Sequence, residues 1–228
     1  MSRHCARVLY DGDVKKAVFF DVGGTLLLAN PLYWLKPALE RWGVAADWRR
    51  LPQAGPAAFD YYNRHHLAAR DLEGALQLWL RTDTIILEGL GVENAEEVAR
   101  RLVDSWREPQ IWPVAPHARE VLGELKKKGK KLLALSNWDA LLPQVLEATG
   151  LAPYFDDVVV SALVGAAKPD ERIFRQALRV AEVEPQEALH VGDEEEADGR
   201  GAEALGISFL LVDPLQPQRD LRRVLEVV

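Results

Sequence analysis

Five short apolar runs, separated by stretches of helical periodicity, leave this chain few architectures to choose from. The first is Ala17-Val18-Phe19-Phe20, an unbroken run that ends in Asp21 and then meets two glycines. From Ala115 onward the alternation becomes regular. Helix is expected from Ala118 to Lys127, strand from Lys131 to Leu135, helix from Leu141 to Thr149 and strand from Val158 to Ser161. Helix follows from Arg172 to Ala181, strand from Ala188 to Val191, helix from Gly201 to Leu205, strand from Ile207 to Leu211 and helix from Asp220 to Leu225. Alternation of this kind requires crossover connections, and these demand a mostly parallel sheet with helices on both faces. The predicted class is therefore α/β, with a three-layer, doubly wound core.

One block does not alternate. From Pro31 to about Trp106 the apolar residues recur at helical steps, as in Trp34-Leu35-Ala38-Leu39-Trp42 and Leu76-Trp79-Leu80-Asp83-Leu87, with no strand pattern. An all-helical insertion after the first strand is the expectation. The prolines of Glu108-Pro109-Gln110-Ile111-Trp112-Pro113 break the helix and mark the return, which gives a core of residues 1–29 and 109–228 and an insertion of residues 30–108. A chain of 228 residues has room for that one core and its appendage.

Bulk properties narrow the function classes. A formal charge of -7 speaks against a general nucleic-acid binder, because phosphate backbones are held by clustered Lys and Arg. No apolar run approaches the ~18 to 20 residues that cross a bilayer, and the lead-in from Met1 to Val14 has no signal-like stretch. Cys5 is the lone cysteine, so no intramolecular disulfide can form. A cytoplasmic protein with a small-molecule partner, no nucleic acid and no membrane is expected; oligomeric state is not encoded in any feature read here.

In open parallel sheets, ligands sit beyond the carboxyl ends of the strands, and polar residues stand at four such ends. Asp21 precedes Val22-Gly23-Gly24-Thr25, a loop whose glycines let backbone approach a ligand; its plainer reading is a turn-forming Asp. Ser136-Asn137 follows the second strand and either holds a phosphate oxygen or caps the next helix. Lys168, in Ala167-Lys168-Pro169-Asp170, is a loop cation or a solvated surface charge. Five acids crowd Asp193-Glu194-Glu195-Glu196-Ala197-Asp198 behind an apolar strand, as a helix start favoured by its dipole or as oxygen ligands for Mg²⁺.

Taken together and in this order, the four signals resemble the haloacid dehalogenase-like superfamily over residues 16–28 and 113–212. That resemblance implies Asp21 as nucleophile, Ser136 as the phosphate-binding hydroxyl, and Lys168 for charge neutralisation. It further implies Mg²⁺ held by Asp21, the Gly23 carbonyl, Asp193 and Asp198, and phosphate met by the loop of Gly23, Gly24 and Thr25 and by Asn137. The helical insertion is similar to the family's cap, which closes over the site and selects the substrate. The function implied is a Mg²⁺-dependent phosphatase of a small phosphorylated metabolite, acting through an aspartyl phosphate.

The sequence departs from the family pattern at one position. The second aspartate of the first motif, the phosphatases' general acid and base, is Gly23 here. General acid–base catalysis contributes ~10²- to 10⁴-fold, so poor leaving groups should suffer most from its loss. Three alternatives stay open. One is a binding protein that no longer turns over. The second is a haloacid dehalogenase, whose family members work without magnesium. The third is a phosphonatase, which would need a cap lysine and has only Lys36. His65 and His66 are read as surface or interface residues, and the tryptophans Trp34, Trp42, Trp48, Trp79 and Trp106 as cap core more than as substrate platforms.

Overall fold

The computed structural model describes residues 15–108 and 111–228. The lead-in with Cys5, and the Pro109-Gln110 step of the return crossing, lie outside the described residues. Five strands, β1 (Ala17–Phe20), β2 (Lys131–Ser136), β3 (Asp157–Val160), β4 (Ala188–Gly192) and β5 (Ser208–Leu211), form one parallel sheet in the order β3-β2-β1-β4-β5. β1 is central and buried on both faces, which explains why its apolar run does not alternate with polar residues. Val18 and Phe20 join the core beneath α5 (Ala118–Lys127) and α6 (Leu142–Ala148). Ala17 and Phe19 join the opposite core beneath α8 (Glu171–Ala181) and α9 (Arg200–Glu203). Phe19 and Phe20 are fully buried, each stabilising the fold by about 1.5 to 3 kcal/mol.

The chain winds away from β1 in both directions, toward β2 and β3 on one side and β4 and β5 on the other. This makes the carboxyl end of β1 the switch point of the sheet, where a crevice forms. Phe20 is level with Ala134 of β2 and Val191 of β4. Asp21, Ser136 and Asp193 therefore leave the sheet within two residues of one level.

Between β1 and β2, helices α1 (Leu35–Trp42), α2 (Leu51–His65), α3 (Leu72–Gly89) and α4 (Ala95–Asp104) pack around their own apolar cluster, led by Leu35, Leu39, Leu87 and Leu90. This is the helical cap. α3 starts where Asp71 accepts from the Gly74 amide at 2.8 Å, the side-chain cap that an orphan N–H requires. The segments leading out and back are tied together: the Leu28 amide donates to the Pro113 carbonyl at 2.8 Å, and the Ala115 amide to the Leu26 carbonyl at 2.9 Å.

Two local expectations are adjusted. Ser161 leaves the predicted strand and starts α7 (Ser161–Val164), because its hydroxyl accepts from the Trp138 amide at 2.9 Å and donates to the Trp138 carbonyl at 3.0 Å. The helix expected over Gly201 to Leu205 is present as the shorter α9, and a π turn at Glu195–Gly199, not expected from the sequence, runs into it. The extra residue of a π turn shifts the side-chain phase: Asp198 is buried while Glu195 and Glu196 stay exposed.

Cap and core are clasped at one place. The Tyr62 hydroxyl of α2 donates to Asp139 Oδ2 at 2.7 Å, and the Asp139 amide donates to the Tyr62 oxygen at 3.2 Å. The Ala140 amide reaches the Ala69 carbonyl at 3.0 Å, and Arg70 Nε the Ala162 carbonyl at 2.9 Å. Burial raises the Asp139 carboxyl and, more strongly, the Tyr62 phenol, so the shared proton stays on tyrosine. Tyr62→Phe leaves a buried carboxylate oxygen short of a donor, at a cost of about 1 to 3 kcal/mol. A urea midpoint unchanged by this substitution would show that the clasp does not hold the cap.

Candidate active site

Asp21 follows β1 with its amide held by the Val191 carbonyl at 2.8 Å, and its side chain is buried at the mouth of the crevice. Its Oδ1 accepts from Ser136 Oγ at 2.9 Å and from Lys168 Nζ at 2.6 Å. The same ammonium donates to Asp198 Oδ1 at 2.5 Å. Asp198 Oδ1 also meets His190 Nε2 at 2.8 Å, while its Oδ2 accepts from the Glu194 amide at 3.1 Å. His190 is fully buried in β4, and its Nδ1 faces the Phe19 carbonyl at 3.1 Å.

Asn137 is engaged at both ends of its amide. Its Nδ2 donates to the Lys168 carbonyl at 3.0 Å, and its Oδ1 accepts from the Lys168 amide at 2.7 Å. This pair fixes the loop that carries the lysine. Thr25 Oγ1 donates to Asp193 Oδ1 at 3.2 Å. Gly24 adopts φ +87°, and a Cβ there would collide with the Asp193 carboxylate; glycine meets both demands. Asp21, Ser136, Lys168, Asp193 and Asp198, up to 177 positions apart in the sequence, thus converge on one rim. Gly23 and Asn137 line the same cavity, and Gly24 and Thr25 reach the rim through Asp193.

The electrostatics follow from crowding. Burial raises the Asp21 carboxyl, the Lys168 charge opposes that rise, and Asp198 adds to it. For Lys168, burial disfavours the ammonium, but the charges of Asp21 and Asp198 outweigh it and hold the lysine above its ordinary range. Asp198 is buried too, yet Lys168 and His190 hold its carboxyl below the usual carboxylate range. Asp193 is pushed up to about 7, by burial first and then by the charges of Asp21 and Asp198. One lysine faces three acids.

That imbalance is the test of fit for a cation. One oxygen from each of Asp21, Asp193 and Asp198 lies within 4.8 Å of the others, an all-oxygen donor set suited to a hard divalent ion. The acid Asp193, which has no basic partner among the described residues, is the one whose ionisation such an ion would favour.

At Gly23, the space for a side chain is tight on one side. A Cβ there would lie 3.2 Å from the six-membered ring of Trp138, which is buried against the loop. Trp138 was not singled out by sequence reasoning, although it directly follows Ser136-Asn137. His190 was passed over as a strand residue; a histidine inside an otherwise apolar buried strand was the available signal. His65 is exposed and stacks on Tyr61, whereas His66 is buried and stacks on Tyr62 at the cap–core boundary.

Above this rim lies a cavity of about 880 Å³ between core and cap. Trp34, Trp79, Trp106, Trp112 and Trp138 line it, so three of the cap tryptophans face the cavity rather than only the cap interior. Trp79 and Trp112 meet edge-on with ring centres 5.5 Å apart, and Trp112 lies 5.6 Å from Trp138. Asp83, the one acid in the apolar stripe of α3, lines the cavity as well.

The chain has relatives among known proteins. The family model of the haloacid dehalogenase-like hydrolases matches residues 15–206. The chain belongs to that family. Human haloacid dehalogenase-like hydrolase domain-containing protein 3 is 39% identical over 209 residues, covering 86% of this chain and 81% of the human protein. A phosphoserine phosphatase of Thermus thermophilus is 40% identical over 220 residues, covering 87% of this chain and 88% of its own. Matches to the bovine and mouse counterparts of the human protein span only 59% and 52% of those proteins. Among solved structures, the HAD-hydrolase YfnB of Bacillus subtilis superposes with a TM-score of 0.71 at 18% identity, over 94% of this chain and 99% of that one.

The raised Asp193 carboxyl has a defined sign. Its folded value lies above its unfolded one, so the native state without metal holds the proton longer and loses stability as pH rises toward about 7. In EDTA, the melting temperature should fall between about pH 4 and about pH 7. The stabilisation by excess Mg²⁺ should grow over the same interval, and Asp193→Asn should flatten both trends. A Mg²⁺ effect of constant size across that range would remove Asp193 from the site.

Proposed function

We propose that this hydrolase is a Mg²⁺-dependent phosphatase of a small phosphorylated metabolite, with Asp21 as nucleophile. The observation that carries the reading is the state of one carboxylate. Asp21 Oδ1 is fixed by Ser136 and Lys168, while Oδ2 has no hydrogen bond among the described residues, and Asp21 lines the cavity opposite Asp193. An oriented carboxylate with one oxygen free is what in-line attack requires. The division into a core of residues 1–29 and 109–228 and a cap of residues 30–108 is part of the same proposal.

In the first step Asp21 attacks phosphorus, the ester P–O bond breaks, and the alcohol leaves. In the second, water attacks the aspartyl phosphate, releasing inorganic phosphate and restoring the carboxylate. Lys168 and Ser136 hold the Asp21 carboxylate in line; Asn137 fixes the lysine loop from behind. Asp21, the Gly23 carbonyl, Asp193 and Asp198 would hold Mg²⁺, which when bound supplies positive charge for the phosphoryl oxygens. No acid stands at position 23, so the leaving alkoxide takes its proton from water. Good leaving groups should be favoured accordingly.

Relatives named as phosphatases support a phosphomonoester, and phosphoserine belongs in the first substrate panel for that reason. A second reading has its own observation. The indole of Trp138 crowds the Cβ position of Gly23, which favours a binding protein that holds phosphate esters without turnover. Hydrolysis of p-nitrophenyl and acetyl phosphate with Mg²⁺, abolished in Asp21→Asn, decides for the enzyme. Mg²⁺ binding with no turnover on the panel decides for the binder, and halide release from a 2-haloacid in EDTA would point to dehalogenation.

Because Trp138 crowds position 23, Gly23→Asp alone must displace the ring, whereas Gly23→Asp with Trp138→Ala leaves room for a carboxyl. The double variant should exceed the single one on alkyl phosphates by about 10²-fold, the lower end of general acid–base catalysis. Equal rates for the two variants would mean that proton transfer to the leaving group is not limiting.

A further inference from the structure

The cavity is far larger than a phosphate group, and its far wall belongs to α3. On that helix Leu76, Trp79, Asp83 and Ile86 recur at three- and four-residue steps and all line the cavity, so they form one stripe facing it. Asp83 is 5% exposed and has no hydrogen bond or ion pair among the described residues. A carboxylate set in an apolar wall without a donor is costly; burial alone pushes this one well above the usual carboxylate range. Nothing in the fold requires an acid there, since Leu or Ile would fill the stripe at no such cost.

The surroundings indicate what would match it. Trp34, Trp106, Trp112 and Trp138 line the same cavity, and tryptophan is the best aromatic partner for a cation. Among the described lining residues there is no arginine, and the single lysine, Lys168, is held between Asp21 and Asp198. His66 lines the cavity too, but burial lowers its basicity and favours the neutral ring, so a second anionic group on a substrate would meet carboxylates and no available cation.

We propose that Asp83 is the recognition residue of the cap cavity, and that it selects phosphomonoesters whose alcohol carries an ammonium group. This rests on the phosphomonoester reading above: the phosphate sits at the Asp21 end, and the ammonium meets Asp83 and the tryptophans. A zwitterionic ester such as phosphoserine satisfies Asp83 but leaves its carboxylate unmatched.

Calorimetric titration of the Asp21→Asn protein with Mg²⁺, which leaves the ester intact, provides the test. The ligands are choline phosphate, its uncharged isostere 3,3-dimethylbutyl phosphate, 2-aminoethyl phosphate and phosphoserine. Choline phosphate should bind about tenfold more tightly than the isostere, as one desolvated cation contact provides, and 2-aminoethyl phosphate more tightly than phosphoserine. Asp83→Asn in the same background should bring the first ratio close to one. Equal affinity for the charged and uncharged esters overturns the proposal, as does a preference that persists in Asp83→Asn. Phosphoserine binding as tightly as 2-aminoethyl phosphate overturns the exclusion of a second anion. Hydrolysis of p-nitrophenyl phosphate by the wild-type protein is read separately. If that activity is missing while the ammonium preference stands, the phosphatase reading falls and Asp83 remains the determinant of binding.

Discussion

A single buried ammonium holds the site together. Lys168 lies between Asp21 and Asp198 at 2.6 Å and 2.5 Å, and each of these side chains is at least nine-tenths buried. Removing one partner of such a group leaves the others uncompensated in a low dielectric, with losses of about 3 to 5 kcal/mol. The arrangement is therefore rigid in a specific sense: Asp21, Asp198, His190 and the Asn137-held loop can only move as a set. The same lysine that orders the acids is too few in charge to neutralise them, which leaves Asp193 as the acid on which a cation would act.

The core was legible because its physics is local and repetitive. Each strand is an apolar run bounded by polar residues, and parallel pairing follows once helices intervene, so the α/β class and the helical insertion could be read from periodicity. Strand ends were legible for the same reason, and with them Asp21, Ser136 and Asp193; Lys168, which follows β3 only after α7, and Asp198, in the π turn, came from the resemblance. What periodicity does not encode is contact between distant segments. Trp138 against Gly23, His190 against Asp198 and Tyr62 against Asp139 depend on rotamers and on the approach of cap to core. The π turn was missed because its single extra residue leaves no compositional mark, although it is what turns Asp198 inward.

Asp83 shows what spacing alone leaves open. The run from Leu76 to Leu87 has helical spacing, which does not say what surrounds the acid within it. In the fold that face lies between two apolar bodies, the cap interior and the cavity, so the acid is enclosed rather than solvated. Gly23 is the converse case: the missing side chain was evident, but not that an indole from the neighbouring loop crowds it on one side.

The segment after β2 has two allegiances. Ser136 and Asn137 hold the reactive end, and only two residues further on Asp139 and Ala140 anchor the cap through Tyr62 and Ala69. A lever this short transmits displacement with little loss. Lifting the cap to admit or discharge a ligand would pull on the peptide that aligns the carboxylate, so opening the door also disarms the room.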